Sequence, residues 1–467
     1  MGSGAISMAS QAAKTVLKPL HRIFVRPPRR FFWSLVRFVR SLSVHPPEIA
    51  RLERRARATS RRLVRRPDGA GWRSSRRPAI YLLNLAGATR LFLFGDPVKR
   101  YAIRQRHAAM PDPRPRVLHM LANVFVGGST QLVVDLHEHL GHRFEMHVAT
   151  TRLPPGGRYA GMSLHHLPFK APRADIDALL ARLKPDLVHV HYWGEGDRPW
   201  YEAVFAAALD AGLPVIENVN TPVPPVVDPR IRRYVMVSQT IRESFAPELD
   251  RVSVVHPGTD FERFRPPESW DPDAHDSVGM VYRLARDKLD ESSLDALIML
   301  AKRRPRTRIF VIGDGELFDP FQRRVRREGV LDNFVFTGTV PYAELTRYYS
   351  RFRIFVAPVV RESFGQVTPM AMAMGHAVAG NRVGALPEIL GSNATLGRSP
   401  EELADILAGL LDDPVKTRAL GRANMARAQA FSVGNMIARY REIYAQTLDI
   451  DLDLMPGFPK AELFEEV

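Results

Sequence analysis

Twice along this chain, short apolar runs alternate with helical stretches, and the second series begins afresh at Ser277. In the first series the runs Arg116–Leu121, Glu145–Thr150, Leu187–His191 and Pro214–Val219 read as strands, and Ala174–Leu183 as a helix. In the second, Val278–Tyr282, Arg308–Ile312, Phe334–Thr337, Ile354–Ala357 and Ala377–Ala379 read as strands, with a helix over Leu289–Lys302. Strands separated by helices form a parallel sheet covered on both faces. The chain of 467 residues is also too long for one core. The pattern therefore predicts an α/β protein with two Rossmann-like domains and a cleft between them. Ligands of such sheets bind beyond the carboxyl ends of the strands. Residues 400–448 read as helical.

Charge divides the chain differently. The net charge is +16, yet residues 1–115 carry 25 Lys and Arg against 5 Asp and Glu, which leaves the remainder mildly acidic. This basic extension calls for a polyanionic partner, either anionic lipid or nucleic acid. Arg29–Leu42 mixes aromatic and aliphatic residues with Arg30, Arg37 and Arg40, and Arg51–Arg66 is a dense arginine cluster. That composition suits an interfacial helix backed by electrostatic attraction to an anionic membrane; the alternative is a helix docked on its own core. No apolar run is long enough to span a bilayer: Ala79–Phe94 comes nearest and is interrupted by Arg90. The chain has no cysteine, which excludes disulfides and thiolate metal sites. Pro111–Pro115 reads as a linker.

Candidate chemistry concentrates between Val281 and Leu390. Arg283 and Lys288 follow the first strand of the second series, where two cations can neutralise a diphosphate. Arg361–Gly365 (RESFG) follows a later strand and opens a helix, an arrangement that offers backbone N–H groups to an anion. Glu362 at that turn can accept hydrogen bonds from sugar hydroxyls, or simply complement a helix dipole.

The segments VYRLARDKL, IGDGE, NFVFTGTVPYAEL, FVAPVVRESFGQVTPMAMAMG and GALPEIL, in this order and spacing, resemble the family-4 glycosyltransferases of the GT-B fold. VSVVHPGTDFERF before them is similar to that family's interdomain segment. Gly127-Gly128, KPDLVHVH and YVMVSQTIRESF extend a thinner likeness into the first half, so that it covers residues 116–448. The resemblance implies a UDP- or GDP-sugar donor, retention at the anomeric carbon, and no cofactor or metal. Carried over by position, Arg283 and Lys288 bind the diphosphate and Glu362 is the catalytic contact to the donor sugar. Gly128, Ser363, Phe364, Gly365 and Glu388 complete the donor site, with a structural role for Glu388 also open. Gly127, His191 and Asn220 are acceptor-side candidates.

Two positions depart from the family. Met370 stands where a second glutamate ordinarily holds the ribose, and methionine is at best a weak acceptor. Asn220 stands where many relatives carry a histidine, and asparagine is no base near neutral pH. In retaining chemistry of this type the departing phosphate itself takes the acceptor proton. His189 and His191 share one strand face, but no further ligand cluster is evident in the sequence, so no metal is assigned.

The implied organisation is a basic extension (1–115), an acceptor domain (116–265), a donor domain (266–430) and a C-terminal helix and tail (431–467). The implied activity is transfer of a sugar to a lipid-linked or cell-surface glycan acceptor in polysaccharide biosynthesis, peripheral on the cytoplasmic face of the cell membrane. The competing readings are a degenerate GT-B scaffold serving as a membrane-associated interaction subunit, a nucleotide-sugar epimerase, and nucleic-acid binding by the basic segment.

Overall fold

The computed structural model describes residues 112, 114–124, 127–154, 159–268 and 276–450. The segments Arg29–Leu42, Arg51–Arg66 and Ala79–Phe94 and the tail 451–467 lie outside them.

The first domain runs β1 (Arg116–Met120), α1 (Gly128–Leu140), β2 (Glu145–Thr150), β3 (Ser163–His166), α2 (Arg173–Leu183), β4 (Leu187–Tyr192), α3 (Arg198–Asp210), β5 (Val215–Val219), β6 (Arg233–Met236), α4 (Gln239–Phe245) and β7 (Val252–Val254). Its seven strands are parallel, in the order β3-β2-β1-β4-β5-β6-β7. The second domain runs β8 (Ser277–Val281), α5 (Asp295–Arg303), β9 (Arg308–Ile312), α6 (Phe318–Arg327), β10 (Phe334–Phe336), α7 (Leu345–Tyr349), β11 (Ile354–Ala357), α8 (Val367–Ala373), β12 (Ala377–Asn381), α9 (Leu386–Leu390), β13 (Leu396–Gly397), α10 (Pro400–Asp412) and α11 (Pro414–Ala428). Its six strands are parallel, in the order β10-β9-β8-β11-β12-β13.

Helices cover both faces of the central strands, and every residue of β4, β5, β8 and β11 is buried, the polar His189, His191, Glu217 and Asn218 among them. Trp200, Tyr201 and Tyr234 fill the first core, and Phe321, Tyr349, Phe352 and Phe355 the second. The helix read over Leu289–Lys302 is divided. Asp290 accepts the Ser292 N–H at 2.8 Å and donates its own N–H to Ser293 Oγ, so a 3-10 turn precedes α5. The stretch 400–448 is three helices, capped by Ser399, Asp413 and Ser432, each of which accepts a backbone N–H three residues on.

The third of these, α12 (Val433–Leu448), returns to the first domain. Its buried residues Met436, Tyr440, Ile443, Tyr444 and Leu448 form one helical stripe, and Tyr444 packs edge-on against Phe144. The chain thus crosses between domains twice, and the crossings pair with each other: Thr259 N–H donates to Phe431 O and Val433 N–H to Thr259 O. No helix among the described residues is long and apolar enough to cross a membrane.

Candidate functional site

In each sheet the chain reverses its direction of winding at one place, between β1 and β4 and between β8 and β11. Loops diverge there and leave a crevice beyond the strand ends. Lys288 lies on the loop after β8 and Glu362 on the loop after β11. These strands are neighbours, so two residues distant in sequence become adjacent. Lys288 Nζ is 2.6 Å from Glu362 Oε1, and Val360 N–H donates to Lys288 O at 2.9 Å.

The Glu362 side chain is fully buried, whereas Lys288 is one-third exposed. Glu362 Oε2 has no hydrogen-bond partner. A buried carboxylate oxygen without a donor is costly, so this site is built to be completed by something else. Two glycines make the turn possible. Gly365 is left-handed (φ 69°), and a Cβ there would lie 2.3 Å from Glu362 Oε2; a Cβ on Gly384 (φ 51°) would lie 2.0 Å from Glu362 O. Arg283 projects into solvent, paired with Asp287 at 2.6 Å, and Arg361 donates to Arg286 O at 3.0 Å.

Across the crevice, α1 begins at Gly127 and Gly128, both exposed, with no side chain capping its first turn. Its positive dipole end suits an anion. Ser363 Oγ donates to Asn220 O at 2.9 Å, and Ser363 O accepts from Ser238 Oγ at 2.6 Å. The carboxyl ends of the two sheets therefore face each other around the Glu362 loop.

Three residues expected at the ligand are occupied otherwise. Phe364 is buried, stacked on His256 at 5.1 Å and edge-on to Phe431, so its side chain anchors the loop from behind. Glu388 clasps the first domain: its carboxylate accepts from Gln239 N–H, Thr240 N–H, Thr240 Oγ1 and His256 Nε2, at 2.7–3.0 Å. Burial alone would raise its pKa, but His256 and these N–H donors outweigh it and hold the carboxyl at about 2. The position of Glu388 is that of a structural clasp. His191 is wholly buried, which removes it from the acceptor side.

His191 belongs instead to a cluster that the sequence did not reveal. His119, from the adjacent strand, places Nδ1 3.0 Å from His191 Nε2, and His189 Nδ1 is 2.8 Å from Tyr444 OH on α12. Ligating atoms of His119, His189 and His191 lie within 4.8 Å of one another. Burial pushes His189 down to about 3 and the other two well below their usual range, so all three are neutral. Asn218 links this interior to the cleft, accepting from Tyr440 OH and donating to Asn220 Oδ1 at 2.8 Å. Met370 is buried in α8. Gln366, which sequence reasoning passed over, reaches from the Glu362 loop toward Gly128; its place directly after the RESFG turn was the available signal.

Residues 276–413 match the family described as Glycosyl transferases group 1. The chain is 28% identical over 415 residues to D-inositol 3-phosphate glycosyltransferase 2 of Catenulispora acidiphila, a match spanning 74% of this chain and 96% of that protein. It is 26% identical over 435 residues to the D-inositol 3-phosphate glycosyltransferase of Streptomyces scabiei, spanning 78% and 94%. In fold it is similar to Anabaena Alr3699/HepE solved with UDP and glucose, with TM-score 0.61 and 16% identity over 71% of this chain and 100% of that one. It is similar also to sucrose-phosphate synthase of Thermosynechococcus elongatus, with TM-score 0.59 and 16% identity over 71% and 99%.

Proposed function

We propose that the chain, whose residues 276–413 match a group 1 glycosyl transferase domain, is a GT-B glycosyltransferase that moves a hexose from a UDP- or GDP-sugar with retention and without a metal. The observation that carries this reading is the Lys288–Glu362 pair at the β8/β11 crevice, opposite the uncapped start of α1. Lys288 and Arg283 counter the charge that grows on the departing diphosphate, and α1 adds its dipole from the other side. Glu362 orients the sugar: Oε1 is held by Lys288, and Oε2 is left for a sugar hydroxyl. Asn220 cannot serve as a base, so the leaving phosphate oxygen takes the acceptor proton on the face where the acceptor binds. The protein's own cations supply the positive charge, so transfer persists in EDTA.

The acceptor in this reading is a lipid-linked or cell-surface glycan, met at the cytoplasmic face of a membrane through the basic residues 1–115. The names of the relatives favour a second reading, in which D-inositol 3-phosphate is the acceptor. A thermal-shift panel of nucleotide sugars identifies the donor, because a ligand selective for the folded state raises the melting temperature. Transfer assays with D-inositol 3-phosphate and with lipid-linked glycans then separate the acceptors, and NMR of the product reports the anomer. A product of inverted configuration, or no response to any nucleotide sugar, overturns the reading.

A further inference from the structure

Among the side chains of the donor loop, Gln366 reaches toward the glycine turn of the first domain. It follows the left-handed Gly365 at the start of α8 and is half-buried between Gly128 and Gly258. Its Oε1 lies 3.0 Å from the place a Cβ on Gly128 would take. Its Nε2 donates to Gly258 O at 3.4 Å, near the limit at which a hydrogen bond is useful. The carboxamide is thus held in position but weakly engaged. A half-turn of its terminal torsion exchanges its donor and acceptor ends. It lies against the start of α1, which no side chain caps, and on the same loop as Glu362, the partner of Lys288. Met370 is four residues on, hence on the same helix face one turn deeper, where it offers no comparable donor.

We propose that Gln366 contacts the donor directly, its Nε2 amide donating to the diphosphate between the start of α1 and the Glu362 loop. A neutral amide suits that place. It gives a hydrogen bond to an anion without the extra attraction by which a further cation would retain the diphosphate product. The proposal rests on the nucleotide-sugar reading above, and the experiment separates the two.

The test is calorimetric titration of the full-length protein with UDP and GDP, and with UMP and GMP, which lack the second phosphate. Wild type, Gln366→Leu and Gln366→Glu are compared, with melting temperatures recorded for each. Gln366→Leu should weaken the preferred diphosphate about tenfold, the worth of one hydrogen bond to a charged group. The monophosphate should bind unchanged. Gln366→Glu should weaken the diphosphate further by repulsion, and this added loss should shrink as salt is raised. Equal diphosphate affinity in all three proteins overturns the proposal. So does an equal loss for mono- and diphosphate, which would mark Gln366 as an interdomain packing residue. If wild type binds none of the four nucleotides, the donor reading itself fails and this proposal falls with it.

Discussion

At the scale of single residues, the ion pair between a fully buried Glu362 and a partly exposed Lys288 makes each residue a poor candidate for removal alone. Losing one partner leaves the other uncompensated, which is the costly half of a buried pair. Glu362→Ala should lower turnover at least about a hundredfold, since it removes the sugar contact proposed for it and releases Lys288. Lys288→Ala should weaken binding of the preferred nucleotide diphosphate about tenfold. The double variant should fall well short of the product of the two losses, because both act through one contact. Turnover and calorimetry on the three variants check this, and independent, multiplying effects would show that the pair does not work as a unit.

Elements matter through what they present at their ends. The start of α4 is held by Glu388, a residue of the other domain, so the clasp joins the domains as well as capping a helix. A carboxyl held at about 2 when folded, against about 4.5 when unfolded, stabilises fully above pH 4.5 and loses its contribution as pH falls toward 2. Glu388→Gln should lower the melting temperature at neutral pH and flatten its fall between pH 4.5 and 2; parallel curves for variant and wild type would remove the clasp. Nothing in GALPEIL could have disclosed this contact, whose partners lie 148 and 149 residues away. By contrast, Arg308–Ile312 and Ile354–Ala357 were legible to the residue, because apolar runs of that length between turns fit a covered parallel strand. The edge strand Ser163–His166 was not, since only Leu164 in it is apolar, and the two-residue β13 offers no pattern at all. The residues of the RESFG turn and of the loop after β8 were legible as a set. The pairing of Lys288 with Glu362, and of His119 with His191, required strand order, which local periodicity does not carry.

For the whole molecule, α12 is the element that ties the two domains into one system, through His189–Tyr444 and Asn218–Tyr440. Folded His189 stays neutral while the unfolded residue titrates near 6.5, so its contribution is complete above that pH and declines as pH falls toward about 3; burial lowers His119 and His191 in the same sense. Buried Glu217 and Asp135, raised to about 8 and about 7, act in the opposite sense. The effect of the histidines is therefore read as a difference. His189→Phe should show a shallower loss of stability than wild type between pH 7 and 4.5 in urea titrations, and identical slopes would discount the cluster. In full-length protein the basic residues 1–115 should also confer salt-sensitive sedimentation with anionic liposomes, which a chain beginning at Pro113 should lack; equal partitioning of both would refute the membrane reading. The return of α12 has one more consequence, for biosynthesis. The strands of the first domain leave the ribosome long before the helix that covers His189 has been made. Until then that face has no lid, and the second domain can complete its own sheet while the first is still open. A released chain ending at Ala428 should accordingly show a protease-resistant second domain joined to a first domain that is still cleavable.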